Sequence, residues 1–422
     1  MTSVMQELID INNLSYLSDT DASVAVQRQL IELTPPKTKY SGNSKIIFKL
    51  RGMGFRDFQN SSYIFKLKTT GGTNLTYSAG GSAMNTIHRV VVTASNGQVV
   101  SDLENVNLYT VHKSKIDESK LYLDTVGQAY GYGDNLLADG NEYVYSIPMR
   151  KLSPFFDTDQ LIHPKITDGM TVTLYLESAQ VAFSSTTNFT YEVSDPKLMI
   201  DTTQVSDGIF NELLKMGDSG SDALVYEYYD ITHEDANISG DTSVLNYTLN
   251  LSVTNAVNAV VLLRVAADVD HITNASLHTK GPKTTKGTVT TVDNMQWKIG
   301  SVSLPKMGAK NGVEIYNALL NSQGVLAGKT SDRFNLQLIR PKNVIVPGEQ
   351  IGEAEEFLQQ FGCYIVDLRR SRMFRNSGRE ISNNQALSVR LEQSTVENYV
   401  ADIFVNHTSR IVISDGQMTI EK

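Results

Sequence analysis

A single cysteine, Cys363, serves all 422 residues, so no intramolecular disulfide can form. Stability must come from packing and assembly, and folding in a reducing compartment is expected. Tryptophan is as scarce, with Trp297 alone, and one indole is a thin basis for an aromatic ligand platform. The seven histidines are scattered. No two follow the His-x-His or His-Glu-x-x-His spacing that places two imidazoles on one metal. Neither a Gly-x-Ser-x-Gly elbow nor a Gly-x-x-x-x-Gly-Lys loop occurs, which removes common nucleophile and phosphate-cradling motifs. Positive charge is in deficit, the net charge being -9, so a surface built to bind nucleic acid all over is excluded. No apolar run approaches the length of a bilayer-spanning helix. Met1 to Asp10 lacks a basic n-region and an apolar h-region, so secretion is not expected. The sequons at Asn74, Asn188, Asn246, Asn250 and Asn406 are then expected to stay unglycosylated.

What is there occurs twice. Thr171-Val-Thr-Leu-Tyr-Leu-Glu177 and Ala386-Leu-Ser-Val-Arg-Leu-Glu392 share one pattern about half the chain apart. Each places three apolar side chains on one strand face, Val172/Leu174/Leu176 and Leu387/Val389/Leu391. An Arg-bearing stretch precedes each, Pro148-Met-Arg-Lys-Leu-Ser-Pro154 and Val366-Asp-Leu-Arg-Arg-Ser371. The length exceeds one ordinary domain, and 41% hydrophobic residues supply two cores. Two similar all-β domains in tandem is the simplest reading.

Asp21 to Leu33, stopped by Pro35-Pro36, has helical character and predicts an N-terminal arm over residues 1–40. The first β domain is expected over 41–205. Its strand signals are Lys45–Leu50, Ser62–Lys68, His88–Thr93, Glu142–Ile147, Thr171–Glu177 and Tyr191–Ile200. Asn96-Gly97 marks a hairpin, whereas Ser114 to Gly140 reads as a long functional or interfacial loop. A short helix (Ile209–Met216) and Gly217-Asp-Ser-Gly-Ser221 form a linker over 206–222. The second domain spans 223–422, with strands at Leu245–Val253, Ala259–Val265, Met295–Ile299, Phe334–Ile339 and Ala401–Val405. Helices are expected at Gly312–Leu320 and Ile351–Phe361. The fold class is therefore all-β, two tandem jelly-roll or sandwich domains with short inserted helices and an N-terminal arm.

Candidate chemistry is sparse. Asp268-Val-Asp-His271 and His233-Glu-Asp235 read as solvated loops, because no third metal ligand is spaced to join them. Cys363, in Phe361-Gly-Cys-Tyr-Ile365, reads as a buried structural thiol, and Trp297 as a core residue. No catalytic residue, metal site or cofactor is assigned, and the chain is read as not an enzyme. The one charge cluster is Arg369, Arg370, Arg372, Arg375 and Arg379. It is read as an interface patch toward an acidic neighbouring subunit, in preference to packaged nucleic acid, acidic lipid or a solvated loop.

Trp297-Lys-Ile-Gly-Ser-Val-Ser-Leu-Pro305, followed by Glu314-Ile-Tyr-Asn-Ala-Leu-Leu320, resembles a pattern of double jelly-roll major capsid proteins of icosahedral double-stranded DNA viruses. The paired features near Met149/Thr171 and Leu368/Leu387, and Ser194-Asp-Pro-Lys-Leu198, fit that family's two barrels. The resemblance covers most of residues 40 to 422. It implies a structural protein forming homotrimers of pseudo-hexagonal outline that tile a virion shell. Its implied partners are neighbouring capsomers, penton and minor capsid proteins, and an internal membrane through the N-terminal arm, with no sequence-specific nucleic acid. Synthesis in the host cell interior without secretion is implied as well. The Ser114–Gly140 and Leu277–Val292 stretches become candidates for outward towers or trimer contacts. Two alternatives of other classes stand beside this reading: a carbohydrate- or receptor-binding viral module, and a double jelly-roll hydrolase or copper monooxygenase.

Overall fold

Apolar alternation along the chain becomes antiparallel sheet in the computed structural model. It describes residues 25–52, 54–73, 75–118, 120–132, 137–158, 160–185, 187–205, 223–239, 244–269, 294–309, 362–370, 377–382, 384–392 and 398–422, with Lys215, Leu277, Glu314, Asn317, Ala318 and Ser322. The first half holds β1 (Ala25–Leu33), β2 (Lys39–Ser41), β3 (Lys45–Lys49), β4 (Phe55–Gly71), β5 (Thr76–Tyr77) and β6 (Ile87–Thr93). It continues with β7 (Val99–Glu104), β8 (Glu142–Pro148), β9 (Thr171–Leu176), β10 (Phe183–Ser184) and β11 (Phe189–Val205). The second half holds β12 (Leu224–Ile238), β13 (Val244–Thr248), β14 (Val253–Val265), β15 (Asn294–Ile299) and β16 (Val302–Ala309). Then come β17 (Cys363–Asp367), β18 (Arg379–Ile381), β19 (Leu387–Glu392), β20 (Tyr399–Ser414) and β21 (Gln417–Glu421).

The duplication is one of topology. The first half pairs its strands as β1-β11-β4-β8 and β3-β9-β6-β7, the second as β12-β20-β14-β17 and β13-β19-β15-β16. Ranked in chain order, β1, β3, β4, β6, β7, β8, β9 and β11 are strands one to eight of the first half. The same ranks fall to β12, β13, β14, β15, β16, β17, β19 and β20. Both halves then read 1-8-3-6 and 2-7-4-5, the two-sheet wiring of a jelly roll. The repeated heptapeptides are β9 and β19, rank seven in each. Their Val172, Leu174, Leu176, Leu387, Val389 and Leu391 are all buried. The Arg-bearing stretches follow β8 and β17, rank six in each.

Local chemistry fixes the corners. Asn96-Gly97 lies in the β6–β7 hairpin, with Gly97 at a φ of 87° and the Ala94 amide donating to the Gln98 carbonyl at 2.8 Å. Ile299-Gly300-Ser301-Val302 closes the β15–β16 hairpin, Ile299 pairing with Val302 and Gly300 at a φ of 54°. A glycine first in a two-residue hairpin loop meets the demand for positive φ. Asp195 takes a φ of 47° where β11 slips register against β4 between Ser194 and Lys197. The slip lets Pro196 sit in a central strand at a bulge, where no ladder donor is needed.

Three expectations are corrected. The helix expected within Asp21–Leu33 is strand over its described part, β1, paired with β11 from Leu33↔Leu198 to Ala25↔Val205. A lone segment of that length is below what a free helix needs, while the edge of β11 offers a full ladder. The Ser114–Gly140 loop is largely helix, Val106–Asp117 followed by Lys120–Ala129. The first of these buries Asn107, Thr110, His112 and Ser114 beside Val106, Leu108 and Val111, so it carries no amphipathic stripe to read. Leu245–Val253 is two strands, because the chain passes at residues 249–252 from the β13 sheet to the β14 sheet. Glu314, Asn317 and Ala318 are helical as expected. The features expected at Ile209–Met216, Gly217–Ser221, Phe334–Ile339 and Ile351–Phe361 lie outside the described residues, apart from Lys215. Among the described residues no helix is long and apolar enough to cross a membrane.

Candidate functional site: the seam between the two halves

Among the described residues, an extended polar construction joins the two jelly rolls. From the first half come β7, the turn Pro154–Phe156 and the helix Val106–Asp117, and from the second β12 and β20. Ser153 accepts from the Phe155 amide at 3.3 Å, and Pro154 opens the turn. Phe155 is thereby presented edge-on to Tyr228 (centroids 5.1 Å apart, 84°) and to Tyr226 (5.9 Å, 76°). Edge-to-face packing of this kind adds about 0.5–1.5 kcal/mol beyond area burial. The Tyr228 hydroxyl donates to the Val100 carbonyl of β7 at 2.8 Å. Beside it Ser101 donates to Asp230 Oδ1 at 2.7 Å and lies 2.9 Å from the Ser153 hydroxyl. The other oxygen of the buried Asp230 faces Lys422 Nζ at 3.4 Å.

A second cluster sits where the helix begins. Asn105 takes the left-handed conformation, φ 51°, at its N-cap, as Asn does more readily than most residues. Its amide thus reaches out of the first half and donates to Asp402 Oδ1 at 2.8 Å. Arg264 grips the same carboxylate from Nε at 2.8 Å and Nη2 at 3.1 Å, and His233 Nε2 lies 3.1 Å from it. The Asp402 side chain is fully buried. Burial pushes its pKa up, but the His233 hydrogen bond and the Arg264 charge together outweigh this and hold it below the ordinary carboxylate range. One turn along, the Tyr109 ring lies 5.1 Å from Phe404 and its hydroxyl donates to Asn406 Oδ1 at 3.1 Å. The helix is held as firmly to its own half. Asn107 Nδ2 donates to Glu177 at 2.9 Å, where His88 Nδ1 also lies 3.0 Å away. The Glu177 hydrogen bond raises the His88 imidazole above its ordinary value.

This arrangement suits a joint. Asp402 is saturated by three side chains and sealed from solvent, so it cannot act on a substrate. Truncating one partner of such a buried pair leaves the other charge uncompensated, a loss of about 3–5 kcal/mol. Among the described residues no three His, Cys, Asp or Glu side chains converge as a metal site requires.

The residues singled out from sequence are distributed otherwise. His233, read as part of a solvated loop, is instead in β12 and inside the Asp402 cluster; a rank-one strand carries it, paired opposite Phe404. His271 lies outside the described residues. Cys363 and Trp297 are buried in their strands, as read. Arg369 spends its guanidinium locally, with Nε 2.9 Å from Asp367 Oδ1 and Nη2 2.8 Å from the Ser322 carbonyl. Arg370 is exposed, Arg379 is half-buried in β18, and Arg372 and Arg375 lie outside the described residues. The seam residues Ser101, Asn105, Asp230, Arg264 and Asp402 were missed. One signal existed: a charge inside an apolar strand, as in Leu263-Arg264-Val265 and Ala401-Asp402-Ile403, is rare unless the charge is paired.

No protein-family model matches the chain, and no curated protein sequence matches it. Solved structures do. The Faustovirus major capsid protein superposes with a TM-score of 0.62 at 8% identity, over 93% of this chain and 91% of that one. PBCV-1 VP54, fitted into a reconstruction of the virophage Sputnik, matches with 0.60 at 9% identity, over 94% and 96%. The mavirus major capsid protein matches with 0.51 at 10% identity, over 96% and 93%. Over nearly its whole length, the chain has the double jelly-roll fold of these major capsid proteins.

Proposed function

We propose that this chain is a major capsid protein that self-assembles into pseudo-hexameric trimers tiling an icosahedral shell. The observation that carries the reading is the pair of identically wired jelly rolls locked by a buried polar seam. Two like barrels held at one fixed angle let a threefold assembly fill a position of near-sixfold outline. The solved proteins sharing this fold over both barrels are capsid subunits. We assign the barrels to 41–205 and 223–422 with a linker over 206–222, and extend the first back through β1 to Ala25. The remaining N-terminal residues are assigned to an arm on the inner side of the shell, toward an internal membrane. Neighbouring capsomers, penton and minor capsid proteins are the partners, and the virion is the site of action. The Arg369–Arg379 stretch is assigned to a subunit contact, with Arg370 exposed. The test is light scattering coupled to size exclusion on the purified 46.6 kDa chain. A single species at about three times that mass is expected. A stable monomer at every concentration would overturn the reading.

A further inference from the structure

The first jelly roll turns from one sheet to the other at the corner between β2 and β3. The chain leaves β1 at Pro35-Pro36, runs along β11 as β2 and enters β3 through the Ser41–Ser44 turn. A cavity of about 480 Å³ lies in this corner, within the size range of small-molecule sites. Lys37, Lys39 and Lys45 line it, and none of its lining residues is acidic. Pro36, Tyr40 and Ile47 add apolar surface. On a chain of net charge -9, three lysines around one cavity form a local attractor for anions.

Hydrogen bonds hold the corner in shape. The Asp195 amide donates to the Thr38 carbonyl at 2.8 Å, and the Leu176 amide to the Ser44 carbonyl at 2.8 Å. The Lys37 amide donates to the Tyr40 hydroxyl at 3.3 Å, which leaves that hydroxyl's own proton for an acceptor. Alternation along β3 buries Ile46 and Phe48 and puts Lys45 and Ile47 on the outer face. Lys39 donates one hydrogen to Glu192 at 2.8 Å and keeps two. Among the described residues neither Lys37 nor Lys45 meets a carboxylate.

Lysines also guard exposed sheet edges, and β3 is an edge strand. The second half separates the two roles. Its strand of the same rank, β13, is an edge as well among the described residues. Yet the passage from β12 into β13, Asn237 to Thr248, holds no lysine or arginine and contains Asp241. The same corner occurs twice and is basic once, so an edge alone does not call for these lysines.

We propose that the corner between β2 and β3 is a binding site for a phosphate or sulfate group carried on a small organic body. Lysine binds phosphate as a point charge, without the planar fork by which arginine selects carboxylates, and arginine is absent from the lining. The body of the ligand lies against Pro36, Tyr40 and Ile47. All lining residues belong to one chain, so the site needs no partner copy.

Two sources share this chemistry, a soluble phosphate or sulfate ester and the headgroup of an anionic lipid. The full chain is titrated at low salt with glycerol 3-phosphate and with inorganic sulfate by calorimetry. Vesicles of phosphatidic acid and phosphatidylcholine in equal parts are tested by co-sedimentation. Saturable binding of either soluble anion assigns a soluble source, and binding of vesicles alone assigns a lipid. In both cases the double variant Lys37→Gln/Lys45→Gln should weaken binding about tenfold. Both lysines are exposed, so its melting curve should match wild type. Lys298→Gln, in β15 of the other half, should leave binding unchanged. Binding that Lys298→Gln weakens as much as the double variant would reveal a diffuse field and overturn the site. So would the failure of all three probes to bind.

Discussion

Lys151 is the most constrained cation in the first half. It lies in the turn Met149–Lys151 after β8 with its side chain 6% exposed. It pairs with Glu118 and donates to the Ser114 hydroxyl at 2.9 Å. It also sits 5.3 Å from the Tyr130 ring and 5.7 Å from the Tyr122 ring. One ammonium thus holds both helices of the connection between β7 and β8. Burial depresses it from the ordinary 10.5 to about 8, against the opposing pull of Glu118. Between those values the unfolded chain binds more protons than the folded one, so stability rises with pH across that window. Lys151→Met removes this rise. The stability gap between wild type and variant should widen from pH 8 to pH 10.5 by up to about 3 kcal/mol. Chemical denaturation at several pH values measures it, and a gap that stays constant would sink the assignment.

At the scale of elements, the β15–β16 hairpin depends on one backbone conformation. Gly300 has a φ of 54°, which costs an ordinary L-residue about 1–2 kcal/mol and Asn less. Gly300→Val should cost about that much stability, seen as a lower denaturation midpoint at unchanged slope, while Gly300→Asn should lie close to wild type. Equal losses for both would show that the turn is not the cause. The hairpin at Asn96-Gly97 was legible because its determinants are adjacent in sequence, as are those of β9 and β19, where Val172/Leu174/Leu176 and Leu387/Val389/Leu391 alternate without a break. What lay beyond reading was decided across the chain. β1 is a strand because β11 is beside it, about 170 residues away in register. The helix Val106–Asp117 hides its period because polar Asn107 and Thr110 are as buried as Leu108. Asp402 looks outward-facing in its own strand, and its partners Arg264, His233 and, from the other half, Asn105 come together only in the fold.

For the whole molecule, the seam decides whether there are one or two cooperative units. Separate domains joined by a polar, wet interface move relative to one another by default. Here the Asp230 and Asp402 carboxylates at the joint are buried and take charge-assisted hydrogen bonds, each of about 1.5–3 kcal/mol, beside the Tyr109–Phe404 and Phe155–Tyr228 ring contacts. Wild type should therefore unfold in a single calorimetric transition. The triple variant Ser101→Ala/Asn105→Gly/Tyr109→Ala removes groups that reach across the seam and leaves both sets of core-facing strand residues in place. Glycine at 105 keeps the φ of 51° accessible while deleting the amide that holds Asp402. Its melting should split into two transitions of comparable enthalpy, one per jelly roll. The consequence for assembly follows from geometry: two barrels free to change their angle cannot present surfaces that close after three copies. The variant should keep two folded barrels yet give a spread of oligomers in sedimentation, where the proposed function expects one trimer from wild type. A variant that melts in two steps and still forms uniform trimers would show that neighbouring copies, not the seam, set the angle.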